Sequence, residues 1–208
     1  MSADPPAPRL APLPRDQWDD DVSAALRLAY PEVVVQRFLS TEPDAKPVPT
    51  ALTTLVHHPA LAGPFLTYNN VLLANPALGH RMRELIVLRV AWRTQSHYEW
   101  AQHVMLAPRF DITPDDIDAI ARDGVSSAWP PVERALVAAT DQLVADHRVD
   151  DQTWTQLAEH LDERQLVELV FVAGTYACLA MAFNSFGLQL EGPEQESVQL
   201  PPPSGQHG

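Results

Sequence analysis

The sequence predicts an all-α protein folded as a helical bundle. Apolar residues recur at three- and four-residue spacing through most of the chain, which is the period of a helix with one buried face. The 208 residues, 46% of them apolar, are also enough to bury a core. Alternating polar and apolar residues, the pattern of a half-buried strand, are scarce, and the run EVVVQRF at 32–38 is the best candidate for one.

Helices are predicted in order along the chain. Over 15–30, Val22 and Leu26 repeat at helical spacing behind Asp16, which can cap the helix N-terminus. The helix over 162–187 is apolar on nearly every side and should be central. The remaining helices are predicted over 50–58, 59–75, 76–94, 97–107, 113–124, 130–148 and 150–161.

Prolines crowd both ends of the chain and mark the expected domain boundaries. We expect residues 1–14 to form a Pro-rich N-terminal arm, residues 15–190 a single all-helical domain, and residues 191–208 a flexible Pro-rich tail. The stretch STEPDAKPVP at 40–49 is predicted to be a linker.

Charge and cysteine content exclude several classes of function. Fourteen basic residues against 27 acidic ones give a net charge of −13, which disfavours binding to nucleic acids and anionic membranes. The single cysteine, Cys178, allows no intrachain disulfide and no CxxC pair. The N-terminus lacks the features of a signal peptide, and the longest uncharged apolar run, 169–183, is short for a membrane span. We therefore expect a cytoplasmic protein.

The segment RMRELIVLRVAWRTQSHYEWAQHVMLA, residues 81–107, places proton-handling groups in an apolar helical stretch. The helix is expected to break near residues 94–95, because Ser96-x-x-Glu99 has the form of a capping box. Glu99 and His103 are spaced i, i+4 and could touch on one helix face. The alternative is structural: Ser96 and Glu99 only cap a helix, and His103 is a satisfied core histidine.

The functional interpretation rests on the chemistry of these groups. A helix N-terminus stabilises an anion that forms nearby, and a histidine beside a carboxylate gives or takes a proton near neutral pH. A partly buried glutamate has a raised pKa and can serve as a second acid or base. Glu84, Glu99 and His103 around one helix start would form a proton-transfer site, although Glu84 could instead pair with Arg81 or Arg89, or face solvent.

The segment resembles the carboxymuconolactone decarboxylase family, which is grouped with the alkylhydroperoxidase D-like proteins. The resemblance covers most of residues 10–190, including LVHHPALAGPFLTYNNVLL and LDERQLVELVFVAGTYACLAMAFNSFGLQLE. It implies a helical bundle of the alkylhydroperoxidase D-like type that forms a homo-oligomer, either a trimer or a hexamer. The peroxidase branch has the motif Glu, eleven residues, Cys-x-x-Cys, three residues, His, and the matching positions here are Glu84, Ser96, Glu99 and His103.

Both motif thiols are therefore absent, while the acid–base groups remain. Disulfide-forming peroxide reduction needs two thiols, and a serine hydroxyl barely ionises at pH 7. The resemblance implies a cofactor-independent lyase or isomerase with His103, Glu99, Glu84 and Ser96 as catalytic groups. Its reaction would be a decarboxylation, isomerisation or elimination/cyclisation of a small cyclic or enolisable carboxylate, lactone or ketone. The changes at Ser96 and His97 suggest a specialised member, for instance one of secondary metabolism.

Residues beside the motif are expected to bind the substrate. Tyr98 and Trp100 could line a pocket for a flat or cyclic molecule, His97 adjoins them, and Arg81, or Arg83, could hold a carboxylate. Core packing and helix-surface roles are the alternatives for these side chains. We predict no metal site, because the histidines do not converge at ligand spacing, and no cofactor.

Two other functions stay open from the sequence. The chain could be a non-catalytic helical binding or assembly protein that kept the scaffold and lost the thiols. It could also be an atypical peroxidase or antioxidant protein that uses Cys178.

Overall fold

A computed structural model describes residues 7–42, 45–122 and 126–203. About 68% of the chain is helical, and the described residues contain no strand, which confirms the all-α prediction. The structure does not describe residues 1–6, 43–44, 123–125 and 204–208. Parts of the predicted arm, linker, helix end and tail fall on these residues and lie outside the described ones.

Eleven α-helices follow one another in the described part of the chain. Single 3₁₀ turns precede the first helix, at Arg15–Gln17, and follow the sixth, at Ala107–Phe110. The helices are α1 (Asp20–Ala29), α2 (Glu32–Leu39), α3 (Thr50–Leu55), α4 (Pro59–Ala74), α5 (His80–Arg93), α6 (His97–Leu106), α7 (Pro114–Ile120), α8 (Pro131–Asp146), α9 (Asp151–Ala158), α10 (Glu163–Phe186) and α11 (Pro193–Glu196).

The strand candidate at 32–38 is wrong, because this stretch forms α2. Pro31 supplies the fixed φ of the N-cap position, and Glu32 lies in the first turn, where a negative charge favours the helix dipole. Val35 and Phe38, three residues apart, are the buried side chains. Helical spacing of the buried residues therefore outweighs the β-propensity of the three valines.

Contacts divide the chain into two compact units, Met1–Ala74 with Phe186–Glu191 and Asn75–Ser185 with Gly192–Gly208. In the first unit α1 packs on α4, and Leu26 and Val35 are among its fully buried side chains. The N-terminal segment is tied to this unit by Leu13 N, which donates to Thr53 O at 2.9 Å. The single domain over 15–190 stays a prediction.

The second unit is built around α5. Its residues from Leu85 to Trp92 are almost fully buried, and it packs against α6, α7 and α8. A buried cation on α5, Arg89, is fully engaged: Nε and Nη2 bond the two carboxylate oxygens of Asp141 at 2.6 Å, and Nη1 donates to Ile120 O and Arg122 O. These bonds hold α5 in place, together with the side chains that α5 contributes to the site.

The long helix α10 is the one helix in the described residues that is long and apolar enough to cross a membrane by length and composition. Half of its most apolar window is buried inside the protein. It is anchored to the second unit through Glu168, which accepts from Ala77 N and Leu78 N at 2.9 Å, and through Asn184 Nδ2, which donates to Thr94 O. These bonds are typical of a core helix.

Part of the C-terminal segment lies against α6. His97 Nε2 contacts Val198 O at 3.2 Å, and Trp100 Nε1 donates to Gln199 O at 2.9 Å. Gln95 Nε2 donates to Pro201 O at 3.4 Å. Backbone carbonyls of the segment thus satisfy side-chain donors at the start of α6.

Replacing Gly63 by valine should destabilise the first unit. A Cβ at Gly63 would lie 3.2 Å from Ala25 Cα and 3.3 Å from Ala25 O, which are backbone atoms of α1 that cannot move aside freely. We expect a loss of about 1–3 kcal/mol in the free energy of unfolding, measured by urea denaturation.

The matched control is Ala60→Val, which places the same side chain on an exposed position of α4. It should cost about 0.5 kcal/mol, the difference in helix propensity. Equal losses in both variants would contradict close packing of α1 on α4.

Candidate active site

The centre of the site is a buried carboxylate on α5 that is shared by two partners. His103 Nδ1 on α6 lies 2.7 Å from Glu84 Oε1, and Arg83 Nη2 donates to Glu84 Oε2 at 3.0 Å. Glu84 is 0% exposed, Arg83 2% and His103 9%. Because a carboxylate paired with a guanidinium only accepts hydrogen bonds, Nδ1 carries the hydrogen in this bond, and Nε2 is left as the basic nitrogen of His103.

Glu99 is a second buried carboxyl group, and it has no partner. Both of its oxygens are buried without a hydrogen bond in the described part of the chain. Burial raises the pKa of Glu99 well above its usual value, and the negative charge of Glu84 acts in the same direction. Glu99 therefore keeps its proton at a pH where an exposed glutamate has lost it.

Tyr176 on α10 completes the buried cluster. Its ring meets the His103 imidazole edge-on, with 5.3 Å between the ring centroids. Burial raises the pKa of Tyr176 above its usual value; the charge of Arg83 opposes the shift, whereas those of Glu84 and Glu99 add to it. The phenol thus stays protonated and can donate a hydrogen bond.

The predicted capping box at Ser96 and Glu99 does not form. Ser96 occupies the N-cap position of α6, but its side chain makes no capping bond. The Ser96 amide, to which Glu99 should have reached back, already donates to Ala91 O at 2.9 Å. Within the described ranges, the buried Ser96 Oγ and both Glu99 oxygens have no hydrogen-bond partner.

The predicted pairings of Glu84 and Glu99 are also wrong. Glu99 does not contact His103 by a hydrogen bond; the partner of His103 is Glu84, nineteen residues away in sequence. Glu84 pairs with neither Arg81 nor Arg89 and does not face solvent, because it is held by Arg83 and His103. The packing of α5 against α6 determines these contacts, rather than the spacing of residues within α6.

Unsatisfied polar atoms are concentrated on α5 and the start of α6. Seven buried side-chain atoms of the described residues lack a hydrogen-bond partner, and six of them belong to Arg83, Trp92, Ser96 and Glu99. Buried polar groups are normally paired, so this concentration makes the start of α6 and the facing part of α5 a candidate functional site.

The aromatic residues predicted to bind substrate are engaged in packing. Tyr98 is 5% exposed and lies edge-on to Phe183, with 5.2 Å between ring centroids. Trp100 is 1% exposed and bonds the C-terminal segment, and the exposed His97 does the same. Substrate binding by His97, Tyr98 and Trp100 stays a prediction, and the contacts observed here are structural.

Arg81 is not part of the buried cluster's hydrogen bonds. Its Nε and Nη2 donate to Glu133 at 2.9 and 3.1 Å, Nη1 and Nη2 contact Asp116, and Nη1 also bonds Asp111 O. With its donors committed to these acceptors, Arg81 ties α5 to α7 and α8. The arginine with open donors is Arg83, which follows it by two residues.

Cys178 and the histidines provide no further centre in the described residues. Cys178 is free and exposed on α10. No group of three or more His, Cys, Asp or Glu side chains that could hold a metal ion occurs in the part of the chain that the structure describes.

Comparisons with known proteins place this site in a family. Residues 59–142, which include Glu84, Ser96, Glu99 and His103, match the model of the carboxymuconolactone decarboxylase family. No curated protein matches the chain in sequence.

Solved structures share the fold at low sequence identity. An uncharacterized peroxidase-related protein from Ralstonia eutropha JMP134, described as an alkylhydroperoxidase AhpD core, has a TM-score of 0.68 at 22% identity, covering 89% of this chain and 95% of that chain. A peroxidase-related protein from Silicibacter sp. TM1040 has a TM-score of 0.69 at 14% identity, covering 92% and 96%. The debrominase Bmp8, as a variant in complex with 2,3,4-tribromopyrrole, has a TM-score of 0.67 at 16% identity, covering 90% and 94%.

The chain thus has the helical fold of the alkylhydroperoxidase D-like proteins. Residues 59–142, which match the carboxymuconolactone decarboxylase family, lack the CxxC cysteines. The family includes decarboxylases, and a debrominase shares the fold, so the scaffold is one that supports enzymes. The predicted family and fold type are confirmed.

Replacing Glu99 by glutamine should flatten the dependence of stability on pH. Because the folded-state pKa of Glu99 lies above its usual value of 4.5, the folded protein binds more protons than the unfolded chain between the two values. The free energy of unfolding therefore falls as pH rises through that window, by at most about 1.4 kcal/mol per pH unit for one proton. Urea denaturation at a series of pH values measures this slope.

The control is Glu159→Gln, at an exposed position after α9. This variant should keep the slope of the unmodified protein above pH 4.5. If Glu99→Gln kept the slope as well, Glu99 would not be a carboxyl group with a raised pKa.

Proposed function

We propose that this protein is a cofactor-independent enzyme of the carboxymuconolactone decarboxylase type that moves protons on a small cyclic or enolisable carboxylate, lactone or ketone. The observation that carries the proposal is the buried Glu84–His103 hydrogen bond of 2.7 Å beside a second carboxyl group with a raised pKa. Proton transfer of this kind requires one group that accepts a proton and one that donates it, and different surroundings give the two groups these properties.

His103 is the general base. Glu84 accepts the hydrogen of Nδ1, which fixes the imidazole orientation and leaves the Nε2 lone pair for the substrate. The Glu84 carboxylate also stabilises the imidazolium that forms when Nε2 takes a proton. Arg83 holds Glu84 from the other side, so Glu84 and Arg83 act as positioning residues in this step.

Glu99 is the general acid. In the proposed step, His103 Nε2 removes a proton from the carbon next to the substrate carbonyl, and the C–H electron pair moves into the carbonyl to form an enolate. Glu99 gives its proton to the enolate oxygen or, in an isomerisation, to a second carbon. In a decarboxylation the C–C bond to the carboxylate breaks instead, CO₂ leaves, and the protonated acid supplies the proton to the carbanion carbon.

Ser96 and the first-turn amides of α6 are the proposed oxyanion donors. Ser96 Oγ is buried without a partner, and the free N–H groups at a helix start carry partial positive charge. An enolate oxygen at this position would receive a hydroxyl donor and a favourable helix dipole.

Two alternative functions are separated from this one by experiment. An antioxidant role is favoured by the peroxidase-related proteins that share the fold, but Ser96 and Glu99 stand where the thiols would be and Cys178 is single. A non-catalytic binding protein would have no need of a paired base and a protonated acid. We further propose a cytoplasmic protein, and its charge of −13 disfavours binding to nucleic acids and anionic membranes.

Substitution of His103 should slow enolisation of the substrate. We expect the protein to catalyse exchange of carbon-bound hydrogen for deuterium in D₂O on at least one compound of a panel of cyclic ketones, lactones and ketocarboxylates, followed by proton NMR. His103→Gln should slow this exchange by about 10²–10⁴-fold, the contribution typical of a general base. Glu99→Gln should slow it as well, because the acid is removed.

His160→Gln is the matched control, since His160 is exposed after α9. It should exchange at the rate of the unmodified protein. Exchange at equal rates in folded His103→Gln and His160→Gln would refute the assignment, and peroxide consumption that disappears in Cys178→Ser would favour the antioxidant function instead.

The exposed face of α10 supports the proposed homo-oligomer, a trimer or hexamer. Apolar side chains repeat along it at helical spacing: Val167 is 59% exposed, Phe171 54% and Met181 66%. Trp154 on α9, 43% exposed, extends the surface beside Val167 and Phe171. A contiguous apolar surface of this kind on a small protein is typical of a protein–protein interface.

Aspartate at Val167 and Met181 should therefore dissociate the oligomer, because the interface would bury two unpaired charges. The expected result is a loss of mass by at least half in light scattering coupled to size-exclusion chromatography. Val33→Asp, at a residue 77% exposed on α2, is the control and should leave the mass unchanged. An unchanged mass in the double variant would place the interface elsewhere.

A further inference from the structure

Arg83 is the cation of the buried cluster, and most of its donors have no acceptor within hydrogen-bond distance among the described residues. Its side chain is 3% exposed, Nη2 donates to Glu84 Oε2 at 3.0 Å, and the Tyr176 hydroxyl also interacts with the guanidinium. Nε and Nη1, which together carry three of the five N–H donors of an arginine, are buried without a partner in the described residues. Because an unpaired buried donor is costly, these N–H groups are positions at which an acceptor of a bound ligand would be stabilised.

The surroundings of the guanidinium select the shape of that acceptor. The ring of Phe110 covers one face, with 5.1 Å from the Arg83 Cζ to the ring centroid. Glu84 takes one donor in the plane, and Tyr176 lies close enough for its hydroxyl to interact with Arg83. The open positions lie in the guanidinium plane, where a flat group with two oxygens makes paired hydrogen bonds.

The charges of the cluster select between anions. Arg83 and Glu84 compensate one another, and Glu99 keeps its proton to a raised pH. A monoanion would add one negative charge beside a guanidinium, whereas a phosphate would add nearly two within reach of two carboxyl groups. A carboxylate therefore fits better than a phosphate.

We propose that Arg83 binds the carboxylate of a small monocarboxylate substrate through its open donors, with the Tyr176 hydroxyl as a second donor. The inference rests on the proposed function for the statement that this ligand is the substrate. Arg83 and His103 hold the two oxygens of the same Glu84 carboxylate, so the bound anion lies within one small molecule's length of the base. Arg81, whose donors are committed to Glu133 and Asp116, has no part in it.

The test is a titration of ¹⁵N-labelled protein, followed through the Nε–H signal of Arg83 in ¹H–¹⁵N correlation spectra. The probes are benzoate and cyclohexanecarboxylate, and their neutral amides are the matched controls. We expect a saturable shift of this signal with the carboxylates and none with the amides. Arg83→Lys keeps the positive charge but loses the planar guanidinium and its paired N–H donors. It should therefore weaken carboxylate binding by about tenfold or more.

Arg81→Lys is the control variant, on the same helix and with the same chemical change. It should bind the carboxylates with unchanged affinity. If Arg83→Lys does not fold, the titration of the unmodified protein and of Arg81→Lys decides the matter. The proposal is overturned if neither carboxylate shifts the Arg83 signal, if the amides shift it equally, or if folded Arg83→Lys binds as tightly as Arg81→Lys.

Failure of this proposal is distinguishable from failure of the proposed function. Carboxylate binding at Arg83 without deuterium exchange on any compound would remove the acid–base function and leave the anion site. Exchange on neutral ketones as efficient as on their carboxylated analogues, with no shift of the Arg83 signal, would leave the chemistry and remove the anion site.

Discussion

The carboxylate of Glu84, buried between a guanidinium and an imidazole, is the interaction on which the site depends. Removing an ion from water costs several kcal/mol, and this cost is offset only where a counter-ion and hydrogen bonds are in position. Arg83 precedes Glu84 in the same helix, so the counter-ion of Glu84 is supplied by α5 itself. The bond to His103 then fixes α6 against α5, which positions Ser96 and Glu99 as well.

Two glutamates of one cluster acquire opposite properties from their neighbours. Glu84 has a cation and a hydrogen-bond donor, whereas Glu99 has neither and lies near the charge of Glu84. Loss of solvent without compensation makes the neutral form of Glu99 the favoured one. A glutamate is thus a fixed anion at position 84 and a protonated acid at position 99, because the neighbours of the two side chains differ.

Helical periodicity was sufficient to predict the fold class, most helix positions and the segment that carries the site. Helical periodicity did not predict contacts that depend on the packing of one helix against another. The spacing of Glu99 and His103 suggested a bond within α6, but the partner of His103 comes from α5. The capping box failed because Ala91 O takes the Ser96 amide. Arg83 and Arg81 could not be told apart by sequence, since only packing shows which guanidinium is enclosed and which is held by Glu133.

The position of Cys178 has a practical consequence. It is the sole thiol of the chain, it is exposed, and it lies on α10 between Phe171 and Met181. A maleimide spin label or fluorophore would therefore attach at one defined point, without removal of competing cysteines. Because Cys178 follows Phe171 by seven residues on the same helix face, its reaction with such a reagent would report directly whether this face of α10 is covered in an assembly.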